Sequence, residues 1–237
     1  MYELRVWLPS QVRAATDPWF DNTFSPWVGC SKVSSGCTNC FAEAWNSGRG
    51  RSNWGPGVVR APQSEGAWLS PLRWNQNAQG PYRVFVGPVL DFFDSEGLPG
   101  ARARFWEMTK IASKLTWFLF TKRPENISRF LPADWGRKYA NVQLGVSVED
   151  QAALVRRAPL LAGVQATRFY SIDPLIGPVD LREHLDGISW VVVGPEEGPS
   201  SRPMDPQWTA EIRARCRERG VRVFDRSSSL REMPTTV

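Results

Sequence analysis

The sequence predicts an α/β protein, a partial TIM-like (β/α)6 barrel of parallel strands, and three observations support this. From residue 83 onward, short β-branched or aromatic runs alternate with polar residues and helical patterns, as in successive βα units. The runs are apolar on both faces, which is typical of parallel strands covered by helices. The length of 237 residues suits one barrel domain.

The predicted elements follow one another in a regular order. Strand candidates lie at 84–86, 117–120, 142–146, 168–170, 190–193 and 221–224. Helix candidates lie between them at about 100–114, 124–131, 149–162 and 205–219. A further strand at about 23–28 and a helix at 38–46 come before this series. We therefore expect six or seven βα units in a single domain that spans 1–237.

Residues 47–82 differ in composition from the rest of the chain. Gly, Pro, Asn, Ser and Arg predominate there, with Trp54, Trp68 and Trp74 between them. We interpret this Trp/Arg-rich segment as an insertion after the first βα unit. It is either a basic, aromatic surface that binds nucleic acid or a lid whose tryptophans cover the open side of the barrel, and both can hold together. Residues 226–237 are expected to form a flexible tail.

The composition favours an acidic partner and a reducing compartment. The formal net charge of +5 favours nucleic acid or a phosphorylated small molecule. Four cysteines are too few for a disulfide scaffold in a chain of this length. Residues 1–20 lack the apolar run of a secretory signal, and no apolar stretch is long enough to cross a bilayer. We expect a cytoplasmic protein with no membrane partner.

Three of the four cysteines lie in the stretch "GCSKVSSGCTNCFAEAW". Six residues separate Cys30 from Cys37, and two separate Cys37 from Cys40. A structural zinc site takes four protein ligands, but the single histidine, His184, is distant in sequence and Cys216 falls on the apolar face of a helix candidate. Three thiolates with an open position suit a [4Fe-4S] cluster whose fourth iron binds a small molecule.

Polar side chains follow five of the predicted strands. Because the carboxyl ends of parallel strands meet at one edge of a barrel, these side chains should surround one site together with the cysteine loop. In any single loop, turn or helix-capping chemistry explains a polar residue equally well, but five loops in succession favour a site. The candidates are Asp91, Lys122, Arg123, Ser147, Glu149, Ser171, Asp173 and Glu196.

The cysteine loop and the barrel together resemble radical S-adenosylmethionine enzymes. These enzymes commonly combine a partial (β/α)6 barrel with a Cys-x3-Cys-x2-Cys loop after the first strand, whereas this chain has six residues in the first gap. The resemblance implies that the open iron binds the amino and carboxylate groups of S-adenosylmethionine, and that reductive cleavage yields a 5′-deoxyadenosyl radical.

A more specific resemblance extends over nearly the whole chain. It is carried, in this order, by the stretches "TFSPWVGCSKVSSGCTNCFAEAW", "WGPGVVR", "WLSPLRWN", "VFVGPVLDFFD", "LFTKRPENI", "NVQLGVSVEDQ", "RFYSIDPLIGPVDL", "WVVVGPEEGPSSRPMDPQW" and "IRARCRERGVRVF". These are similar to the phage-associated three-Cys-motif protein family, a group with no settled biochemical function. The family's Gly-Gly-Glu-Ser-Gly-Pro-like loop is Gly194-Pro-Glu-Glu-Gly-Pro199 here, and its Phe-Lys-Gln-Trp-Gly-like segment is Phe224-Asp-Arg-Ser-Ser228.

Roles for the polar candidates follow from their predicted places around the cluster. The candidate catalytic residues are Lys122, Asp91, Glu149 and Asp173. The candidate cofactor-binding residues are Arg123, Ser147, Ser171 and Glu196. Lys122 and Arg123 would pair with the carboxylate of the methionine moiety or with a substrate phosphate.

The leading hypothesis is an iron–sulfur enzyme of radical S-adenosylmethionine type that modifies a nucleic-acid base or nucleotide and receives electrons from a reductant protein. The alternative is a non-catalytic phage module that binds nucleic acid or protein, with zinc or a cluster as a structural staple. A degenerate barrel without chemistry is a third hypothesis. If the chain is phage-encoded, its compartment is the cytoplasm of the infected host cell. The oligomeric state is left open.

Overall fold

The strands form one curled parallel sheet, a half-barrel, and one small antiparallel pair. The structure, a computed structural model, describes residues 19–198 and 200–227. Its strands are β1 (Asn22–Phe24), β2 (Trp27–Val28), β3 (Ala61–Pro62), β4 (Tyr82–Val86), β5 (Leu115–Thr121), β6 (Val142–Ser147), β7 (Thr167–Ile172), β8 (Ile188–Val193) and β9 (Arg222–Asp225). The parallel sheet has the order β1-β4-β5-β6-β7-β8-β9, and β2 pairs with β3. This confirms the predicted fold class.

Helices connect the strands of the parallel sheet, and polar caps set where several of them begin. The helices are α1 (Phe41–Ser47), α2 (Glu65–Asn77), α3 (Pro99–Ile111), α4 (Ile127–Phe130), α5 (Gln151–Ala162) and α6 (Pro206–Glu218). The side chains of Ser64, Asp150 and Asp205 accept backbone N–H bonds at the starts of α2, α5 and α6. Among the described residues, no helix has both the length and the apolar character of a membrane span.

The helices cover the convex face of the sheet with the larger hydrophobic core. Trp117 of β5 is fully buried and meets Phe105 of α3 edge-to-face, with ring centroids 5.2 Å apart. Leu154 of α5 and Ile212 of α6 are buried in the same cluster. Burial of each such side chain contributes about 1.5–3 kcal/mol to folding. The side chains at the outward positions of the strands therefore pack against the helices and form the core.

Aromatic rings fill the concave face. Trp19 and Phe20, which precede β1, pack there with Phe169 and Trp190. The rings of Phe169 and Trp190 are stacked, with centroids 4.0 Å apart and planes 6° apart. At Gly145, a Cβ atom would approach the ring of Phe169 to 2.7 Å, so this strand position accepts only glycine without repacking.

Two predicted boundaries were wrong near the amino-terminal end. The strand expected at about 23–28 is divided into β1 and β2, with Ser25 and Pro26 between them, because proline donates no ladder hydrogen bond. The helix expected at 38–46 begins three residues later, at Phe41. Cys40 has the extended backbone of an N-cap residue, with φ −61° and ψ 113°.

The Trp/Arg-rich segment 47–82 contains β3, α2 and the start of β4. Trp68 of α2 is buried against Phe24 of β1, with ring centroids 5.0 Å apart, and Trp74 stacks on Tyr82. Part of the segment is therefore a connecting helix of the barrel. Of the tail expected at 226–237, the residues from 228 onward lie outside the described part of the chain.

Candidate active site

A cavity of about 180 Å³ opens at the carboxyl edge of the half-barrel, and all three clustered cysteines line it. Every polar candidate from the sequence except Glu149 lines the same cavity; these residues are Asp91, Lys122, Arg123, Ser147, Ser171, Asp173 and Glu196. The parallel order of the strands explains this convergence, since each loop that follows a strand starts at the same edge.

Gly29 directs the chain into the cysteine loop. Its backbone N–H donates to the carbonyl of Val89 at 3.0 Å, and its φ of 123° is a conformation that favours glycine. A Cβ atom at this position would lie 2.4 Å from the carbonyl oxygen of Asn53. The backbone N–H of Gly55 in turn donates to the carbonyl of Cys30 at 2.9 Å. Cys30 is therefore placed by contacts with two different loops.

The other two cysteines lie on short helical elements. Cys37 ends a 3-10 turn, Ser35–Cys37, and Cys40 is the N-cap of α1. Burial raises the pKa of the Cys40 thiol, while the backbone N–H groups of Glu43 and Ala42 act in the opposite direction. Those amide groups are placed to donate hydrogen bonds to a thiolate or to a cluster sulfur.

Burial also raises the pKa of the Cys30 thiol to about 12, and the nearby Asp91 carboxylate adds to the rise. Arg123 lowers it by its charge and its hydrogen bond. The thiol is therefore protonated in the metal-free chain near neutral pH. Because metals bind thiolates, loading of the site must release this proton.

The structure offers no fourth cysteine or histidine ligand beside the three cysteines among the residues it describes. Cys216 is fully buried in the core on the convex face. His184 precedes β8 and so lies at the amino edge of the sheet, opposite the cysteine loop. Within 19–198 and 200–227, no group of three or more His, Cys, Asp or Glu side chains, the three cysteines included, is arranged to hold a single metal ion. In a [4Fe-4S] cluster each thiolate binds a different iron, so the cysteines need not converge on one point.

Arg123 is buried between the cysteine loop and the sheet. Its Nη1 donates to Asp91 Oδ2 at 3.1 Å and to Cys30 Sγ at 3.5 Å. Its Nη2 donates to both the backbone oxygen and the Oγ of Ser31, each at 2.8 Å. Asp91 also accepts a bond from Thr121 Oγ1 at 2.6 Å. The polar groups of Arg123 are thus already engaged by the protein.

Glu149 is placed behind the cysteine loop rather than in the cavity. Its carboxylate pairs with Arg157, whose Nη2 donates to Oε1 at 3.3 Å, and accepts a hydrogen bond from Ser34 Oγ. Burial alone would raise the pKa of Glu149, but Lys122 and Arg157 outweigh it, so the net shift is downward. Glu149 is therefore a buried carboxylate, not a free base at the cavity wall.

Lys122 and Ser147 are among the polar groups on the cavity wall that have no hydrogen-bond or ion-pair partner in the described part of the chain. Lys122 is half-buried, and its ammonium group forms no ion pair or hydrogen bond there. Ser147 is 1% exposed, and its Oγ is buried without a hydrogen-bond partner. Because buried polar groups are nearly always satisfied, the Ser147 hydroxyl indicates where a polar ligand would bind, and the Lys122 ammonium group lies on the same cavity wall.

Glu196 connects the loop after β8 to the cysteine loop. It accepts bonds from Arg202 Nε at 2.9 Å and from Asn39 Nδ2 at 3.0 Å. Arg202 also donates to the backbone oxygen of Ser35 at 3.0 Å. The hydrogen bond from Arg202 is the main reason that the pKa of Glu196 falls to about 2, so Glu196 is ionised at any physiological pH.

Asp173 and Ser171 lie on the far wall of the cavity, at the end of β7. Arg226, which follows β9, pairs with both Asp173 and Glu197. Ser171 is buried, and its carbonyl accepts a bond from the N–H of Val148 at 2.8 Å. The sequence did not single out Arg226, because nothing in its local pattern shows that β9 ends beside β7's carboxylate.

The concave aromatic face forms the floor of the cavity, which was not predicted from the sequence. The rings of Trp19, Phe20, Phe85 and Phe120 line it. Phe85 and Phe120 stack with centroids 5.0 Å apart. Their alternation with the buried outward positions of β4 and β5 is the signal that would have placed them on the inner face.

Solved structures show the class of fold. Two single-residue variants of spore photoproduct lyase match with a TM-score of 0.61, at 12% and 11% sequence identity, over 94% of this chain and 79% of theirs. A third structure of that enzyme, with bound AdoMet and dinucleoside spore photoproduct, matches with a TM-score of 0.56 at 12% identity, over 90% of this chain and 64% of that one. The expected resemblance to radical S-adenosylmethionine enzymes is confirmed for the fold.

The chain belongs to the family described as "Protein of unknown function (DUF5131)", whose model matches residues 15–228. No curated protein matches the sequence. The family match covers the cysteine loop and every strand of the half-barrel, so the candidate site is part of the family's domain.

Proposed function

We propose that this protein is an iron–sulfur enzyme of radical S-adenosylmethionine type, with a [4Fe-4S] cluster held by Cys30, Cys37 and Cys40. The observation that carries the proposal is that three cysteine side chains line one cavity at the carboxyl edge of the half-barrel with no fourth cysteine or histidine beside them in the described chain. A soft, three-thiolate donor set fits a cluster with one open iron.

Lys122 and Ser147 are suited to hold the polar end of S-adenosylmethionine. Lys122 supplies an unpaired positive charge for the methionine carboxylate, and the buried Ser147 hydroxyl gains a partner. A bound cluster would supply the electron for reductive cleavage of S-adenosylmethionine to methionine and a 5′-deoxyadenosyl radical. The aromatic floor excludes water from the cavity and so protects such a species.

A nucleic-acid base or nucleotide is the substrate class that we propose. Arg49 and Arg51 are exposed, and neither forms an ion pair within the described chain. Trp54, close in sequence, lines the cavity. A positive surface beside an aromatic-lined cavity is suited to bind phosphates and stack a base. The structural neighbour that binds a dinucleoside photoproduct supports the same class.

Neutral replacement of both arginines should weaken binding of a single-stranded oligonucleotide at least tenfold at low salt. Removal of each arginine–phosphate ion pair should reduce the slope of log K against log salt by about 0.7, so loss of both should reduce it by about 1.4. Fluorescence anisotropy over a salt series measures both effects for the double variant Arg49→Gln/Arg51→Gln.

A matched control is the double variant Arg156→Gln/Arg217→Gln. It removes the same charge from exposed positions on α5 and α6, which cover the convex face. Equal weakening by both double variants would show that only net charge matters, and would remove residues 49–54 as the binding surface.

The cluster would need an electron donor, and we propose a reductant protein in the cytoplasm, of the host cell if the chain is phage-encoded. Thiolate ligands require a reducing compartment to remain available. No part of the cavity wall described above supplies a second redox group.

The test of the function is anaerobic purification, iron and sulfide analysis, and electron paramagnetic resonance spectroscopy during titration with S-adenosylmethionine. We expect about four irons and four sulfides per chain, and a spectrum that changes on addition of S-adenosylmethionine. Stoichiometric zinc, or a cluster whose spectrum ignores S-adenosylmethionine, would instead support the non-catalytic binding module with a structural metal site.

A further inference from the structure

The segment between Cys30 and Cys37 is attached to the barrel near both of its ends. Arg123 holds Ser31 through the two 2.8 Å bonds described above. At the other end, Ser34 Oγ donates to Glu149, and Ser35 Oγ donates to Asp150 Oδ2 at 3.1 Å. The six residues therefore do not form a free loop.

The first anchor of this segment, Arg123, also contacts one of the proposed cluster ligands, Cys30. Arg123 Nη1 lies 3.5 Å from Cys30 Sγ, within hydrogen-bond reach for sulfur. The guanidinium is held in this place by Asp91, which accepts from the backbone N–H of Lys122 at 3.0 Å as well. A buried, oriented positive charge stabilises added negative charge on the sulfur more strongly than an exposed one.

The second anchor of this segment, Glu149, is held in place by a buried ion pair. Arg157 Nη1 donates to the backbone oxygen of Ser147 at 2.8 Å while it pairs with Glu149. The carboxylate lies against Gly36, where a Cβ atom would come within 2.9 Å of it. Glycine at this position is therefore what allows the loop to approach the carboxylate so closely.

We propose that Arg123 and Glu149 are positioning residues that hold the long Cys30–Cys37 segment in its ligand-binding shape, and that Arg123 also raises the reduction potential of the cluster through Cys30. The proposed effect of Arg123 on the reduction potential rests on the function proposed above. The hydrogen bonds from Arg123 and to Glu149 offset the conformational entropy that is lost when the long segment between Cys30 and Cys37 is ordered. Hydrogen bonds to the cysteine sulfurs influence the reduction potential of a cluster.

The positioning role is tested in the metal-free chain by hydrogen exchange of peptides that cover 30–40. We expect Arg123→Gln and Glu149→Gln to exchange there at least tenfold faster than the unaltered chain. Arg156→Gln is the matched control, because it removes an arginine charge from an exposed position on α5 that forms no hydrogen bond to the segment, and its exchange should not change. Unchanged exchange in both test variants, with their circular dichroism retained, would overturn the positioning role.

The second role is tested by the one-electron midpoint potential of the loaded protein. Arg123→Gln should make reduction at least tenfold less favourable, a fall of about 59 mV. Glu149→Gln removes a negative charge and so should not lower the potential. An unchanged or higher potential in Arg123→Gln would contradict the tuning role.

The proposal can still be tested if Arg123→Gln does not fold, or if the unaltered chain binds no iron. If Arg123→Gln does not fold, Arg123→Lys takes its place. Lysine keeps the positive charge but cannot donate hydrogen bonds to Cys30, Asp91 and Ser31 at the same time. Hydrogen exchange and a midpoint potential equal to those of the unaltered chain in Arg123→Lys would overturn the proposal. If the unaltered chain binds no iron, the proposed function and the tuning role fail together, while the exchange measurements on the metal-free chain still decide the positioning role.

Discussion

Replacement of Cys37 with alanine is expected to lower iron and sulfide content at least tenfold after anaerobic reconstitution. The site has three thiolates among the described residues and no nearby fourth cysteine to substitute for a missing one. Two thiolates leave a second iron without a protein ligand, and the cluster is then easily released. Colorimetric iron and sulfide assays and the absorption spectrum measure the loss.

Cys216→Ala is the matched control for this experiment, because it makes the same chemical change at a cysteine buried in the convex core. It should retain full iron content and lose only stability, since the missing sulfur leaves a small cavity. Full iron content in Cys37→Ala would remove the three-cysteine loop as the cluster site.

Replacement of Lys122 with glutamine is expected to weaken binding of S-adenosylmethionine by about tenfold to a hundredfold. A hydrogen bond to a charged group contributes about 1.5–3 kcal/mol, which corresponds to that range of affinity. Lys122 is the half-buried cation of the cavity wall that the described protein leaves unpaired. Anaerobic calorimetry on the cluster-loaded variant measures the dissociation constant.

Lys114→Gln provides the comparison for Lys122→Gln. Lys114 is exposed and precedes β5, so it lies at the amino edge of the sheet, away from the cavity. Its replacement should leave the affinity unchanged. An unaltered dissociation constant in Lys122→Gln, at normal iron content, would show that another group receives the methionine carboxylate.

The two neighbouring cations illustrate how far local pattern predicts a site. Lys122 and Arg123 follow the same strand, and the sequence predicted the same partner for both. In the structure, Arg123 is buried on Asp91, Ser31 and Cys30, whereas Lys122 lies on the cavity wall without an ion pair in the described chain. Because adjacent side chains point in different directions, the packing around Lys122 and Arg123 determines which of the two cations can still bind a ligand.

Glu149 shows the same distinction among the carboxylates. It follows β6 and so lies at the carboxyl edge of the sheet, but its local pattern did not predict that it would turn behind the cysteine loop toward Arg157 and Ser34. The partner Arg157 is on α5, and its role depends on how that helix packs on the sheet. The candidate roles of Asp91, Asp173 and Glu196 stay predictions, although each carboxylate has an arginine partner.

The βα order, the parallel half-barrel and the grouping of polar strand ends with three cysteines at one edge were all predictable from the amino-acid sequence. These follow from periodicity and chain direction, which are local properties. Three features became visible only in the folded chain: which polar groups form ion pairs, that Trp19 and Phe20 pack on the concave face, and that Arg123 and Glu149 hold the segment between Cys30 and Cys37. Such interactions join residues far apart in sequence, and they depend on side-chain direction and burial that no local pattern records.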